Sequence, residues 1–116
     1  MTKPYLCHVD IKVTSVPRAR TFYQRVFAWK FRQAGNEWDF FTGGKSRQAV
    51  EGAIMKPSRR FPGNVTCYFH VSSMERTMAR VKRFGGRIQY PKEKMGPYYF
   101  AWVKDPSGNV VGLRSR

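Results

Sequence analysis

The chain has 116 residues, enough for one compact domain with its own core but not for two independent ones. Hydrophobic residues make up 41% and aromatic residues 16%, so the composition excludes an intrinsically disordered chain in spite of the high charge. The 22 lysines and arginines face only 7 acidic residues, and the net charge of +15 predicts attraction to anions, whether nucleic acid, acidic metabolites or membrane headgroups.

The N-terminal sequence MTKPYLCHVD lacks the apolar stretch of a secretory signal, and no apolar run approaches the roughly 20 residues needed to cross a bilayer. We therefore expect a cytoplasmic protein without a membrane partner. Cys7 and Cys67 are the only cysteines, and each lies in a segment that resembles a strand. Two isolated cysteines in this compartment favour buried free thiols over a disulfide. Because neither cysteine belongs to a CxxC pair, a zinc site built on cysteine is not expected.

The first predicted strand covers residues 5–13, in which polar and apolar side chains alternate. Its polar face carries His8, Asp10 and Lys12. An amphipathic helix follows, with Ser15 as its N-cap and an apolar stripe that covers the sheet. Three more strands are predicted at residues 29–32, 37–41 and 49–55, separated by turns at 34–36 and 43–46, so the first half is a βαβββ unit.

The second half repeats this order, because VTSVPR at residues 13–18 and VSSMER at residues 71–76 align at an offset of 58 positions. A strand at residues 65–71 places Thr66, Tyr68 and His70 on the face away from the following helix. A capping box at residues 72–75 opens that helix, and Gly85-Gly86 ends it. The closing strands are predicted at residues 87–90, 98–104 and 109–114. A linker at residues 56–64 separates two modules at about 1–57 and about 64–116.

Several stretches resemble one family. HVDIKV at residues 8–13, the pairs Arg18-Ala19 and Phe22-Tyr23, and VFAWKF at residues 26–31 resemble the first module of the vicinal oxygen chelate superfamily. This group holds glyoxalase I, bleomycin resistance proteins and extradiol dioxygenases. YFAWVKDPSGN at residues 99–109 is similar to the closing hairpin of that family.

The resemblance implies an α+β fold in which two βαβββ modules form a curled mixed sheet around a concave cleft, often completed by a dimer. It also implies two kinds of function. Enzymatic members hold a divalent metal in the cleft through His, Gln and Glu side chains near the start of each first strand and on each last strand. Other members keep the fold and bind hydrophobic or cationic drugs without a metal.

The resemblance places His8 at the first metal-ligand position, where the alternative is a histidine that lines the cavity or is simply hydrogen-bonded. The other positions fall on Thr66, on Gly112 and near Gly52, beside which Glu51 is the nearest carboxylate. A hydroxyl is a poor ligand and glycine offers none, so the usual ligand set looks incomplete, with His8 and Glu51 as the candidate metal ligands. Gly112 suits either close approach of a ligand to the backbone or the packing of a curved strand.

The polar faces of the two first strands predict a ligand-binding cleft. His8 and Asp10 lie two positions apart, so the histidine can act as a base that the carboxylate orients, unless the strand is simply polar. His70 lies about 13 Å along the strand from Thr66 and cannot replace it at the same metal. The predicted cleft residues are His8, Asp10, Lys12, Thr66, Tyr68, His70 and Gly112, with Trp38, Phe40, Tyr98 and Trp102 as cleft walls or core.

The second helix carries a basic ridge. Arg76, Arg80, Arg83 and Arg87 recur at helical spacing opposite the apolar stripe, and Lys82, Arg59 and Arg60 widen the basic surface. A solvated helix face is one interpretation. The scarcity of acidic residues favours the other, an anion or nucleic-acid surface whose binding is electrostatic and nonspecific.

The sequence therefore predicts a glyoxalase-like domain, in a homodimer, that binds a small, anionic or aromatic ligand in its cleft. A divergent metal-dependent lyase, isomerase or dioxygenase that uses His8 is the first alternative, and a basic nucleic-acid-associated protein is the second. Whether the protein is an enzyme stays open. No cofactor is firmly implied, although a divalent metal is compatible with the family.

Overall fold

The computed structural model describes residues 3–34, 37–45, 49, 51–59, 61 and 63–116. The order of elements is βαβββ followed by βαβββ, so the predicted α+β class and the repeated order are confirmed. The bounds are β1 (Tyr5–Lys12), α1 (Val16–Phe27), β2 (Lys30–Gln33), β3 (Trp38–Thr42), β4 (Glu51–Met55), β5 (Val65–His70), α2 (Met74–Arg83), β6 (Arg87–Met95), β7 (Tyr98–Lys104) and β8 (Val110–Ser115).

Internal contacts divide the chain into two units. The first unit is His8–Thr66, and the second combines Met1–Cys7 with Cys67–Arg116. The module bounds of about 1–57 and about 64–116 stay a prediction. Within the part of the chain that the structure describes, no helix has the length and apolar character needed to span a membrane.

The first unit joins its strands in the order β2-β3-β4-β1. β1 and β4 are parallel, with Val9 opposite Gly52 and Asp10 opposite Ala53. Helix α1 covers one face of this sheet, where Val16 and Phe41 are buried together with Ile54. The polar side chains of β1 consequently lie on the opposite face, because successive residues of a strand point in opposite directions.

The second unit joins its strands in the order β5-β8-β7-β6. β5 and β8 are parallel, and Gly112 lies between Tyr68 on β5 and Trp102 on β7. Helix α2 covers the other face, and the core there contains Val71, Met74, Ala101, Val103 and Leu113. The two units therefore share one plan, a parallel pair of first and last strands under a helix.

The helix starts are closely similar in backbone conformation. Ser15 has φ −143° and ψ 114°, Ser73 has φ −140° and ψ 114°, and each side chain accepts a hydrogen bond from the backbone N–H three residues later. Ser15 is thus confirmed as an N-cap. The predicted capping box is wrong, because the cap is Ser73 rather than Ser72 and the side chain of Glu75 instead accepts a bond from Lys92.

The second helix is too short to include all four arginines of the predicted basic ridge. It ends at Arg83, Phe84 caps it, and Gly85 has φ +98°, a left-handed conformation that glycine adopts readily. Arg87 is therefore wrongly placed on the helical ridge, since it is the first residue of β6.

Other bounds differ by a few residues. The strand predicted at residues 87–90 extends to Met95, with irregular register on both sides of Tyr90, and β4 begins at Glu51 rather than at 49. Some predicted segments include positions outside the described residues, namely 35, 36, 46, 50, 60 and 62. These segments are the turns at 34–36 and 43–46, the strand at 49–55 and the linker at 56–64. Arg60 of the basic surface is one of these positions. The two cysteines are free thiols.

Candidate functional site

A histidine and a carboxylate lie together on β1. His8 Nε2 lies 2.8 Å from Asp10 Oδ1, and the Asp10 side chain is almost fully buried. Because a carboxylate oxygen accepts hydrogen bonds, the Nε2 atom of His8 is the nitrogen that donates. The predicted His8–Asp10 pair therefore has the geometry of an oriented imidazole.

A lysine contacts the position that the family resemblance assigned to a ligand of the second module. Lys12 Nζ donates a hydrogen bond of 2.6 Å to Thr66 Oγ1, and Thr66 is buried. Burial lowers the pKa of Lys12 below its ordinary 10.5, and the nearby Asp10 carboxylate opposes that effect. An ammonium group is therefore fixed in the partly buried face of the first unit. His8, Asp10, Lys12 and Thr66 together form a polar row.

The register decides where Glu51 lies. Ala53 is opposite Asp10, so Glu51, two residues earlier on β4, lies on the face of the polar row and is exposed. Gly52 lies on the other face, and a Cβ atom there would be 2.0 Å from the carbonyl oxygen of Val9. No larger side chain fits at 52 without movement of the backbone.

These groups do not fit the metal site of the family. Among residues 3–34, 37–45, 49, 51–59, 61 and 63–116, no three His, Cys, Asp or Glu side chains are close enough together to hold one metal ion. The Thr66 hydroxyl already accepts from the Lys12 ammonium, whose positive charge repels a divalent cation. His8 and Glu51 alone provide fewer donors than the three protein ligands that a catalytic zinc ion generally has.

Aromatic side chains cover Gly112 in the second unit. The ring of Tyr68 lies directly over Gly112, since a Cβ atom at that glycine would be 2.2 Å from Tyr68 Cδ2. The indole Nε1 of Trp102 donates a 2.8 Å hydrogen bond to the Tyr68 hydroxyl, and both rings are 2% exposed. On this side Tyr68 therefore occupies the space next to the backbone. The packing interpretation of Gly112 accounts for this contact.

His70 lies two residues beyond Tyr68 on the same face. Arg114 Nε donates a 2.9 Å hydrogen bond to His70 Nδ1, and the Tyr5 ring stacks on the imidazole with a centroid separation of 5.3 Å. Burial lowers the pKa of His70, and the charges of Arg114 and Arg116 lower it further. His70 is therefore held as a neutral imidazole that accepts a hydrogen bond through Nδ1.

The described arginines of α2 form an exposed surface. Arg76, Arg80 and Arg83 are exposed, and the guanidinium carbons of Arg80 and Arg83 lie 5.8 and 5.3 Å from the ring centroid of Phe84. Phe84 itself is 63% exposed. A groove of about 760 Å³ beside the helix is lined by apolar side chains, by the hydroxyl groups of Ser72, Ser73 and Thr77, and by Arg76 and Arg80.

Sequence reasoning missed two site residues and one contact. Arg114 and Arg116 lie against Tyr98, but their position at and just after the end of the predicted last strand gave no sign of it. The bond between Lys12 and Thr66 joins residues 54 positions apart, so it depends on strand arrangement. The offset of 58 was a usable signal, because it pairs Lys12 with His70 and thereby marks both as equivalent polar positions.

The fold and the repeated modules define a family. The model of the Glyoxalase/Bleomycin resistance protein/Dioxygenase superfamily matches residues 5–113, so the chain belongs to that superfamily. The vicinal oxygen chelate resemblance is therefore confirmed.

Individual relatives are distant. A "Glyoxylase-like domain-containing protein" of Didymella fabae is 26% identical over 116 residues, covering 93% of this chain and 91% of the relative. A methylmalonyl-CoA epimerase of Streptomyces coelicolor, solved with 2-nitronate-propionyl-CoA, is similar with a TM-score of 0.72 at 13% identity and covers 95% of each chain. A hypothetical protein of Bacillus halodurans has a TM-score of 0.74 at 13% identity, over 99% of this chain and 96% of its own. Identities this low establish a shared fold and nothing finer.

Proposed function

We propose that this protein binds a small anionic ligand on the polar row, with the Lys12 ammonium in the role that a metal ion has in other members of the family. The observation that carries the proposal is the 2.6 Å bond from Lys12 Nζ to Thr66 Oγ1 in a partly buried setting. An ammonium held in one position attracts a carboxylate more strongly there than on an open surface, because the effective dielectric constant is lower. The predicted homodimer and the cytoplasmic location belong to the same proposal.

The neighbours of Lys12 support an anionic ligand. The Lys12 ammonium has three N–H donors, and one of them bonds to Thr66. The other two can donate to an anionic ligand. His8 and Asp10 next to it can move a proton on a bound molecule, with Asp10 orienting the ring. The proposal is one of binding, and it does not require that this pair be catalytic.

Titration calorimetry with benzoate and its neutral analogue benzamide tests the proposal. We expect the protein to bind benzoate more tightly than benzamide. Lys12→Met should weaken benzoate binding about tenfold to a hundredfold, the equivalent of about 1.5–3 kcal/mol for a lost charge-assisted hydrogen bond. Lys94→Met, on an exposed part of β6, is the matched control and should leave benzoate affinity unchanged. Equal affinity for benzoate and benzamide would contradict the proposal.

Elemental analysis separates this proposal from the metal-dependent alternative. The purified protein and His8→Ala would be analysed after addition of zinc, nickel, manganese and iron. About one metal per chain that is lost in His8→Ala would overturn a metal-free site and favour a lyase, isomerase or dioxygenase that uses His8 and Glu51. Low metal content in both samples, together with selective benzoate binding, is the expected result.

A second candidate function is nonspecific binding of single-stranded nucleic acid by α2. Its support is the exposed Phe84 ring close to the guanidinium groups of Arg80 and Arg83, since bases stack on aromatic rings and phosphates pair with arginine. The net charge of +15 favours the same partner. Arg76 extends the surface along the helix.

Binding of a fluorescent oligothymidylate at rising salt tests this second function. The double variant Arg80→Gln and Arg83→Gln should bind more weakly and with a shallower dependence of affinity on salt. The control pair Arg18→Gln and Arg32→Gln removes the same charge from the first unit and should have the smaller effect. Affinity that stays flat between low and high salt would exclude an electrostatic nucleic-acid surface.

A further inference from the structure

Two arginines lie against one tyrosine ring in the second unit. The guanidinium carbon of Arg114 lies 4.3 Å from the centroid of Tyr98, and that of Arg116 lies 5.1 Å from the same centroid. Arg116 Nη2 also donates a 3.4 Å hydrogen bond to the Tyr98 hydroxyl. The ring therefore holds two positive groups within a small volume at the end of β8.

Neither guanidinium has a carboxylate partner among the residues that the structure describes. Arg114 Nε donates to His70 Nδ1 and its guanidinium lies over Tyr98, and Arg116 lies over the same ring and donates to its hydroxyl. Contact with an aromatic face orients a cation but leaves its charge in place. Two like charges held together in this way repel each other, and an anion between them removes the repulsion.

His70 adds a neutral donor to the pair. Because Arg114 donates to Nδ1, the proton of the neutral imidazole resides on Nε2. Tyr5 stacks on one side of the ring and Tyr98 meets it edge-on, with centroids 5.3 and 6.3 Å away, so the orientation of the imidazole is fixed. Two guanidinium groups and one imidazole N–H thus lie around Tyr98.

We infer that His70, Arg114 and Arg116 form a binding site for a phosphate group, arranged around Tyr98. The charges decide the class of ligand. A phosphate dianion matches two guanidinium groups and has three oxygens to accept from them and from the imidazole, whereas a carboxylate matches only one guanidinium. The inference is independent of the polar row, because all four residues lie in the second unit and Lys12 lies in the first.

Phosphate titration followed by NMR tests the site. Inorganic phosphate is added at about pH 8, where it is mainly dianionic, at constant ionic strength set with sodium chloride. We expect the imidazole resonances of His70 to shift with saturation. In a pH series, bound phosphate should raise the pKa of His70, since a dianion stabilises the protonated ring. A purely structural cluster would give no such rise.

Arginine variants test which side chains bind the phosphate. Arg116 is exposed, so Arg116→Gln should fold normally, and we expect it to weaken phosphate binding at least about tenfold. Arg116→Lys should keep part of the affinity because it keeps the charge without the planar fork. Arg76→Gln, an exposed arginine on α2, is the control and should bind like the unaltered chain.

Three outcomes would overturn the inference. They are no saturable shift of His70, equal affinity of the unaltered chain and Arg116→Gln, or acetate binding as tightly as phosphate. Lys12→Met keeps the two proposals apart, because it should abolish selective benzoate binding and leave the response to phosphate intact. Loss of one response without the other identifies which proposal has failed.

Discussion

Equivalent positions of the two units have opposite character. Asp10 in the first unit and Tyr68 in the second are 58 residues apart, and each faces a small residue on its parallel neighbour, Ala53 and Gly112 respectively. In the first unit the position holds a buried carboxylate bound to His8. In the second it holds a buried phenol ring that lies over the glycine and bonds to Trp102.

The difference shows which part of the repeat the fold requires. Both units keep the serine N-cap, the parallel pairing of the first and last strands, and the apolar face beneath the helix. The face away from the helix is not constrained in this way. In the first unit this face carries the His8–Asp10 pair, and in the second it carries Tyr68 packed on Gly112 beside the bond between Arg114 and His70, so its side chains differ between the two units.

The largest effect is expected from the buried ion pair that attaches helix α1 to its sheet. Arg20 on α1 bonds to Asp39, which is 1% exposed and whose Oδ1 has no partner among the described residues. Arg20→Gln should reduce the free energy of unfolding by about 3 kcal/mol, because it leaves a buried charge without its partner. Urea denaturation measures this loss.

The second unit provides the control for that prediction. Lys92 and Glu75 form the corresponding contact to α2 at the surface. Lys92→Gln should leave the midpoint of urea denaturation unchanged, because exposed ion pairs contribute little. Equal losses of unfolding free energy in Arg20→Gln and Lys92→Gln would mean that the burial of Asp39 does not make its ion pair more important than the exposed one.

The next effect concerns the ring over the glycine. Gly112→Ala places a Cβ atom where the Tyr68 ring lies, and we expect a loss of about 2 kcal/mol in the free energy of unfolding from overpacking. In a Tyr68→Ala background the same substitution should cost much less. A double-mutant cycle on thermal or urea unfolding measures the coupling, and additive losses would show that the collision is not the cause.

The smallest effect is a dependence of stability on pH. The pKa of His70 is lowered in the folded chain, so between that value and about 6.5 the unfolded chain binds the additional proton. Stability should therefore fall as the pH drops through this window. His70→Gln should flatten this part of the curve, measured as the free energy of unfolding between about pH 5 and 7, and an unchanged slope would contradict the assignment.

Much of the fold could be predicted because its signals are local. Alternation along residues 5–13 and 65–71, the serine before each helix and the Gly85-Gly86 stop are each readable within about ten residues. The two short segments that reveal the repeat are also readable, although they lie 58 positions apart. Arg87 was misplaced because periodicity continues through Gly85, where the left-handed backbone ends the helix. β6 was cut short because its register slips near Tyr90, and irregular pairing obscures alternation.

The site was less predictable because it depends on contacts between distant segments. The sequence indicated His8 and Asp10, which are neighbours on one strand. It did not indicate that Lys12 contacts Thr66 or that Arg114 contacts His70, since these pairs require the register between strands. Likewise, nothing local to Gly112 shows that Tyr68 covers it.

The contact between Tyr68 and Gly112 also restricts how this lineage can change. A larger side chain at 112, glutamate included, does not fit while the ring is present. The tyrosine would first have to become small, and that step removes the hydrogen-bond partner of a buried tryptophan. Either substitution alone is therefore expected to lower stability, so positions 68 and 112 are coupled and can change together more easily than one at a time.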